Sequence, residues 1–326
     1  MYLIVRKGIF SMVKKIAFIF PGQGAQVVGM GRDLYENNEA AKKVFDTADR
    51  VLNKSITKLC FEGPEEDLKQ TVNTQPSIVA MSIAALEAFK SELNIMPVFT
   101  AGHSLGEYCA MYASGVMDLE TTLKAIQKRA DLMGQVKGGA MAAILNAPSG
   151  SVEKALKEAS NVGYVDVANY NSPVQVVLTG EENAVSKAGE LLLEAGAKRV
   201  VPLAVSGAFH SKFLENASRE FSQFVSNLDI SCASIPVITN VDAAATISDT
   251  DFKNKMPRQI CSSVHWTQTI ENMIQNGVDT FVEIGPGKVL AGLNRKINPE
   301  VTTYNIFDKT SLDNTVETLK NEMSMV

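Results

Sequence analysis

Histidine is scarce in this chain, with only His103, His210 and His265 among 326 residues. Any chemistry that needs an imidazole base must draw on one of those three positions. Cysteine is scarce as well. Cys60, Cys109, Cys232 and Cys261 show none of the close pairing that binds zinc, so no metal site is expected. They read as buried or free thiols in a reducing compartment, which predicts a cytoplasmic protein. Positive charge is not in excess. A count of 31 Lys and Arg against 36 Asp and Glu leaves −5, which argues against a general nucleic-acid binder. Long apolar runs are missing too. Arg6 and Lys7, then Lys14 and Lys15, interrupt the apolar N-terminal residues before a signal core or a membrane span can form. No internal repeat and no low-complexity segment is visible.

What remains is the composition of an ordinary globular protein, 45% hydrophobic and 21% charged. The length exceeds one simple core, so a large domain with a subdomain is expected. Ile16–Phe20 (IAFIF) is a continuous apolar run halted by Pro21-Gly22, the pattern of a buried parallel strand. Pro76 suits the first turn of a helix running to about Leu93. Val98–Ala101 reads as a strand, and Leu105–Ser114 and Leu119–Leu132 as helices separated by Gly115. This alternation predicts an α/β fold with a mostly parallel sheet. After Gly138-Gly139 the order becomes β-α-β-β-α-β, the ferredoxin-like unit. Val237–Thr239 and Phe281–Ile284 then return to the first sheet. The expected organisation is a hydrolase-like core over 13–138 and 207–310, a ferredoxin-like subdomain over 139–206, and a C-terminal tail over 311–326. Residues 1–12 read as an unstructured extension, or as the product of a start read too early, with Met12 the true start.

The sharpest local signal is Gly102-His103-Ser104-Leu105-Gly106, which follows a strand and opens a helix. That is the setting of a nucleophile elbow, where a tight turn lifts a serine hydroxyl above the sheet edge. The helix N-terminus beneath it offers free N–H groups to an oxyanion. Serine needs a base. His103 adjoins Ser104 and points elsewhere on such a turn, which suits a pocket wall. His265 lies on an amphipathic stretch before Trp266. His210, in a small-residue loop just past a strand, is the favoured base. No acidic third member stands out, so a backbone carbonyl is the alternative means of orienting the imidazole. The Gly-rich Pro21–Gln26 loop matches neither a dinucleotide nor a Walker pattern, and Gln23 N–H paired with Leu105 N–H can serve as oxyanion donors. Arg129, if it faces the crevice, would fork onto a substrate carboxylate.

Taken together, PGQGAQ (21–26), TQPSI (74–78), GHSLGEY (102–108), QKRADLM (127–133), NYNSPVQ (169–175), SGAFHS (206–211), TNVDA (239–243) and EIGPGKVL (283–290) carry a resemblance. The chain resembles the bacterial malonyl-CoA:acyl carrier protein transacylases and, more broadly, the acyltransferase domains of fatty acid and polyketide synthases. The resemblance implies that Ser104 is acylated, that His210 is the base, and that Arg129 binds the malonyl carboxylate. It implies an oxyanion hole from Gln23 and Leu105, with the carbonyl of Gln259 orienting His210. Phe209 before the histidine implies malonyl rather than methylmalonyl, and His103, Met133 and Asn169 are expected near the pocket. The implied partners are a coenzyme A thioester and an acidic acyl carrier protein, met by Lys187, Lys198, Arg199, Lys288, Arg295 and Lys296. No cofactor, no nucleic acid and no membrane is implied, and a monomer is expected. Competing readings are a serine esterase or thioesterase, a polyketide-type enzyme using another short acyl-CoA, and a non-catalytic carrier-binding protein.

Overall fold

In the computed structural model, which describes residues 14–205 and 207–324, the IAFIF run is buried along its whole length. A strand covered on both faces must be so. Among the described residues there are ten strands in chain order: β1 (Ile16–Phe20), β2 (Phe99–Gly102), β3 (Ala140–Leu145), β4 (Val165–Ser172), β5 (Gln175–Gly180), β6 (Arg199–Pro202), β7 (Val237–Ile238), β8 (Ala245–Thr246), β9 (Thr280–Ile284) and β10 (Thr302–Ile306). Six of them form one sheet in the order β10-β9-β1-β2-β7-β8. It is parallel except at the β7/β8 edge. Alternation along β1 splits the core: Ile16, Phe18 and Phe20 enter one hydrophobic cluster, Ala17 and Ile19 the other.

The remaining four strands form an antiparallel sheet in the order β4-β5-β3-β6. Helices Ser151–Ala159 and Glu182–Glu194 pack on it. Their Ala155, Ala159, Ala184, Ala188 and Leu192 close a separate small core with Ile144, Val167 and Leu178. The chain leaves the large sheet and returns to it side by side, since Gly138 and Gly207 form a parallel bridge. A second bridge joins Asn169 of β4 to Val264. No helix among the described residues is long and apolar enough to cross a membrane.

Three expectations need correction or lie out of reach. Pro76 does not open its helix, which runs from Thr71 to Glu92 and carries the proline inside it. Proline has no N–H to bond the carbonyl four residues back. That carbonyl, Val72 O, accepts instead from Gln127 Nε2 at 3.3 Å, so a side chain from the next helix repairs the gap. The segment expected as a tail is not one. Lys309–Ser324 is a helix that buries Leu312, Val316 and Leu319 in the large core. The reading of residues 1–12 concerns a part of the chain outside the described residues.

Candidate active site

The elbow forms at the end of β2 because glycine alone fits its two flanks. A methyl group on Gly102 would sit 1.9 Å from the backbone carbon of Gly106, and one on Gly106 would sit 2.3 Å from Phe20 O. Ser104 between them has φ of 52°, the left-handed region that costs a residue with a side chain. The Pro21–Gln26 loop is pressed against this turn. His103 N–H donates to Phe20 O at 2.9 Å, and a methyl on Gly22 would lie 2.7 Å from His103 O. Gln23 follows directly. Among the described residues, neither Gln23 N–H nor Leu105 N–H donates to a protein acceptor, so both remain available as donors.

His210, also at positive φ (56°), places Nε2 2.8 Å from Ser104 Oγ. Its Nδ1 lies 3.0 Å from Gln259 O and 3.0 Å from Ser262 O. Carbonyl oxygens only accept, so Nδ1 carries the proton and Nε2 turns its lone pair to the serine hydroxyl. Both carbonyls belong to the C-terminal end of helix Asp249–Cys261, where backbone acceptors lack intrahelical partners. The helix end therefore does the orienting that an acid does elsewhere, and its partial negative charge favours a transient imidazolium. Burial drives the His210 pKa down to about 3, helped by the positive charge of Arg129 and by His103. The imidazole accordingly stands as a free base.

Arg129 comes from helix Leu119–Gln135 and is only 1% exposed. Its Nη1 donates to Gln75 Oε1 (2.6 Å), its Nη2 to Ser104 Oγ (3.0 Å) and to Gln259 Oε1 (3.0 Å), and its Nε to Gln259 Oε1 (3.3 Å). The ring of Tyr108 lies 5.7 Å from Cζ. Among the described residues no carboxylate pairs with it within 4.0 Å. Burial depresses its pKa, against an opposing pull from Tyr108 and Glu107. A buried cation without a counter-ion is costly, and a carboxylate arriving on a ligand would relieve that cost.

The other expected residues are placed as follows. Met133 is one step removed, its Sδ accepting from Gln75 Nε2 at 3.4 Å. His103 Nε2 meets Asn171 Oδ1 at 2.8 Å, and burial lowers its pKa. Phe209 is buried, and its carbonyl accepts from Thr179 Oγ1 at 2.9 Å. Asn169 is buried on β4, but among the described residues no hydrogen bond ties its side chain to the site; Asn171, two positions on, makes the link. His265 stacks on Tyr170 with ring centroids 5.2 Å apart and no bond to Ser104 or His210. Sequence reasoning assigned no role to Gln75, Glu107, Asn171, Asn240 or Ser262. All but Ser262 lie within motifs already quoted, and that was the only available signal.

The model of the acyl transferase domain matches residues 17–317. The malonyl CoA-acyl carrier protein transacylase of Bacillus subtilis is 42% identical over 314 residues, spanning 95% of this chain and 99% of the relative. The chain belongs to the malonyl-CoA:acyl carrier protein transacylases. As a member of this family it is an acyltransferase, and solved members share its fold. An acyl carrier protein S-malonyltransferase from Vibrio cholerae superposes with a TM-score of 0.90 at 39% identity, covering 93% of this chain and 100% of the other. A malonyl-transacylase in complex with a type II polyketide acyl-carrier protein superposes at 0.91 with 35% identity, covering 94% and 100%.

Proposed function

We propose that this chain carries a malonyl group from coenzyme A to the phosphopantetheine thiol of an acyl carrier protein, through an ester on Ser104, in support of fatty acid synthesis in the cytoplasm. One observation carries the residue assignment: the hydroxyl of Ser104 lies 2.8 Å from a free-base imidazole and 3.0 Å from a buried guanidinium that has no carboxylate partner among the described residues. In the first half-reaction His210 Nε2 takes the hydroxyl proton as Oγ attacks the thioester carbonyl. Gln23 and Leu105 N–H groups receive the oxyanion; such a donor is worth about 3 kcal/mol of barrier. Collapse breaks the C–S bond, and coenzyme A leaves with the proton returned by His210. In the second half-reaction the carrier thiol gives its proton to His210 and attacks the ester, and Ser104 Oγ takes the proton back as it leaves. Arg129 holds the acyl carboxylate through both halves, and Phe209 favours malonyl over branched relatives. The cycle needs no cofactor beyond its thioester donor and the carrier's thiol acceptor. Lys187, Lys198, Arg199, Lys288, Arg295 and Lys296 supply positive charge for an acidic carrier, and the enzyme acts as a monomer.

The test is mass spectrometry of the chain mixed with malonyl-CoA. A malonyl adduct on Ser104, absent in Ser104→Ala and discharged by holo carrier protein, is the expected result. No adduct sinks the acyl-serine reading. Discharge to water as fast as to the carrier thiol makes the protein a hydrolase instead.

A further inference from the structure

β2 and β7 pair as far as Ala101 and Ile238, and there β2 departs into the elbow. Beyond that point β1 still holds one side of the turn, through His103 N–H on Phe20 O, but no strand is left on the β7 side, and Ser104 must stay at a positive φ that its side chain disfavours. The side chain of Asn240 takes over the ladder. Its Oδ1 accepts from Ser104 N–H at 2.8 Å, and its Nδ2 donates to Gly102 O at 2.7 Å. A primary amide offers the same donor and acceptor as a peptide group, so it substitutes for the missing strand residue. Its orientation is unambiguous, because Ser104 N–H only donates and Gly102 O only accepts. Asn240 is itself fixed at both backbone groups. Its N–H donates to Glu107 Oε2 at 2.6 Å, and its carbonyl accepts from His265 N–H at 3.1 Å. Glu107, on the first turn of the elbow helix, is buried, as is Asn240. Gln259 closes the ring, donating from Nε2 to Ser104 O at 2.7 Å.

We infer that Asn240, anchored by Glu107, is the positioning residue that holds Ser104 in its left-handed turn and aims Oγ at His210. It touches no reacting atom. Its bond to Ser104 N–H also removes that group from the oxyanion hole and leaves the task to Leu105 and Gln23. The inference rests on the acyl-Ser104 reading above.

The test uses the full chain with Asn240→Ala and two measurements. One is the single-turnover rate of Ser104 acylation by malonyl-CoA; the other is the affinity for malonate, which engages Arg129 but forms no bond to Ser104. Acylation is expected to slow on the order of 10²-fold, the usual cost of misplacing a reacting group by about an ångström. Malonate affinity is expected to stay within about threefold of the parent. An acylation rate within about threefold of the parent overturns the inference. So does a parallel loss of acylation and malonate binding, which would make Asn240 a support of the fold only. Asn240→Asp carries the test should the alanine variant fail to fold. It keeps the acceptor for Ser104 N–H and loses the donor to Gly102 O, so about tenfold slowing is expected and an unchanged rate overturns the inference. A parent chain that forms no acyl-Ser104 would sink the functional reading itself, before any variant is compared.

Discussion

The six-stranded and four-stranded sheets contribute unequally to the site, and most of the reacting groups collect around the first. Gln23 follows β1, Ser104 follows β2 and Asn240 follows β7, while Arg129 and Gln259 descend from helices covering that sheet. The four-stranded sheet lends the base, His210, from the loop that follows β6, and two polar contacts, Asn171 to His103 and Thr179 to the carbonyl of Phe209. Topology explains the imbalance. Parallel strands all end at one edge, so loops distant in sequence converge there. Antiparallel strands end alternately at opposite edges and spread their loops apart.

The comparison can be broken at several strengths. The largest effect is expected from Arg129→Ala. Malonyl loading should fall on the order of 10²-fold, about the worth of one strong bond to a charge, while a neutral short acyl-CoA keeps most of its rate. Steady-state kinetics with both thioesters would decide, and an unchanged malonyl preference excludes the clamp. The next effect concerns pH. An imidazole at its ordinary 6.5 would be mostly protonated at pH 5.5 and lose about tenfold in loading rate. Because the folded site lowers the pKa of His210, the free base persists as pH falls, and the loss by pH 5.5 should be under about twofold. A pH profile of kcat/KM for malonyl-CoA with an acid limb near 6.5 would contradict this. The smallest effect on chemistry is expected from Leu192→Ala, in the core of the four-stranded sheet. It should cost about 3 kcal/mol of stability in denaturant unfolding and leave the loading rate per folded molecule unchanged. A rate loss rivalling that of Arg129→Ala would erase the distinction between the two sheets.

β1 was legible because it is a continuous apolar run ended by Pro21-Gly22, and β2 and β9 because short, mostly apolar stretches are closed by Gly102 and Gly285. The elbow was legible for a steric reason: Gly102 and Gly106 tolerate no Cβ. β10 escaped notice because Thr302–Ile306 is a polar, partly exposed edge strand without alternation. Pro76 misled because proline is the usual mark of a helix start, and the repair of the Val72 carbonyl comes from Gln127, 55 positions beyond Val72. Glu107 and Asn240 were passed over because a buried acid or amide looks like an exposed one until its partners are known. Burial pushes the Glu107 pKa up to about 7, a property of its surroundings and not of its neighbours in sequence. Ser262 contributes only a carbonyl, which every residue has, so no letter in the chain could single it out.

The bridge between Gly138 and Gly207 has a consequence for assembly. β3 and β6 are neighbours, with Ala142 opposite Pro202, so the small sheet brings the two ends of its own segment together as it forms. Joining distant parts of a chain costs entropy that grows with the logarithm of the span between them. Here the interruption prepays that cost: once the inserted segment has folded, the halves of the large sheet are tethered as if only a short hairpin separated them.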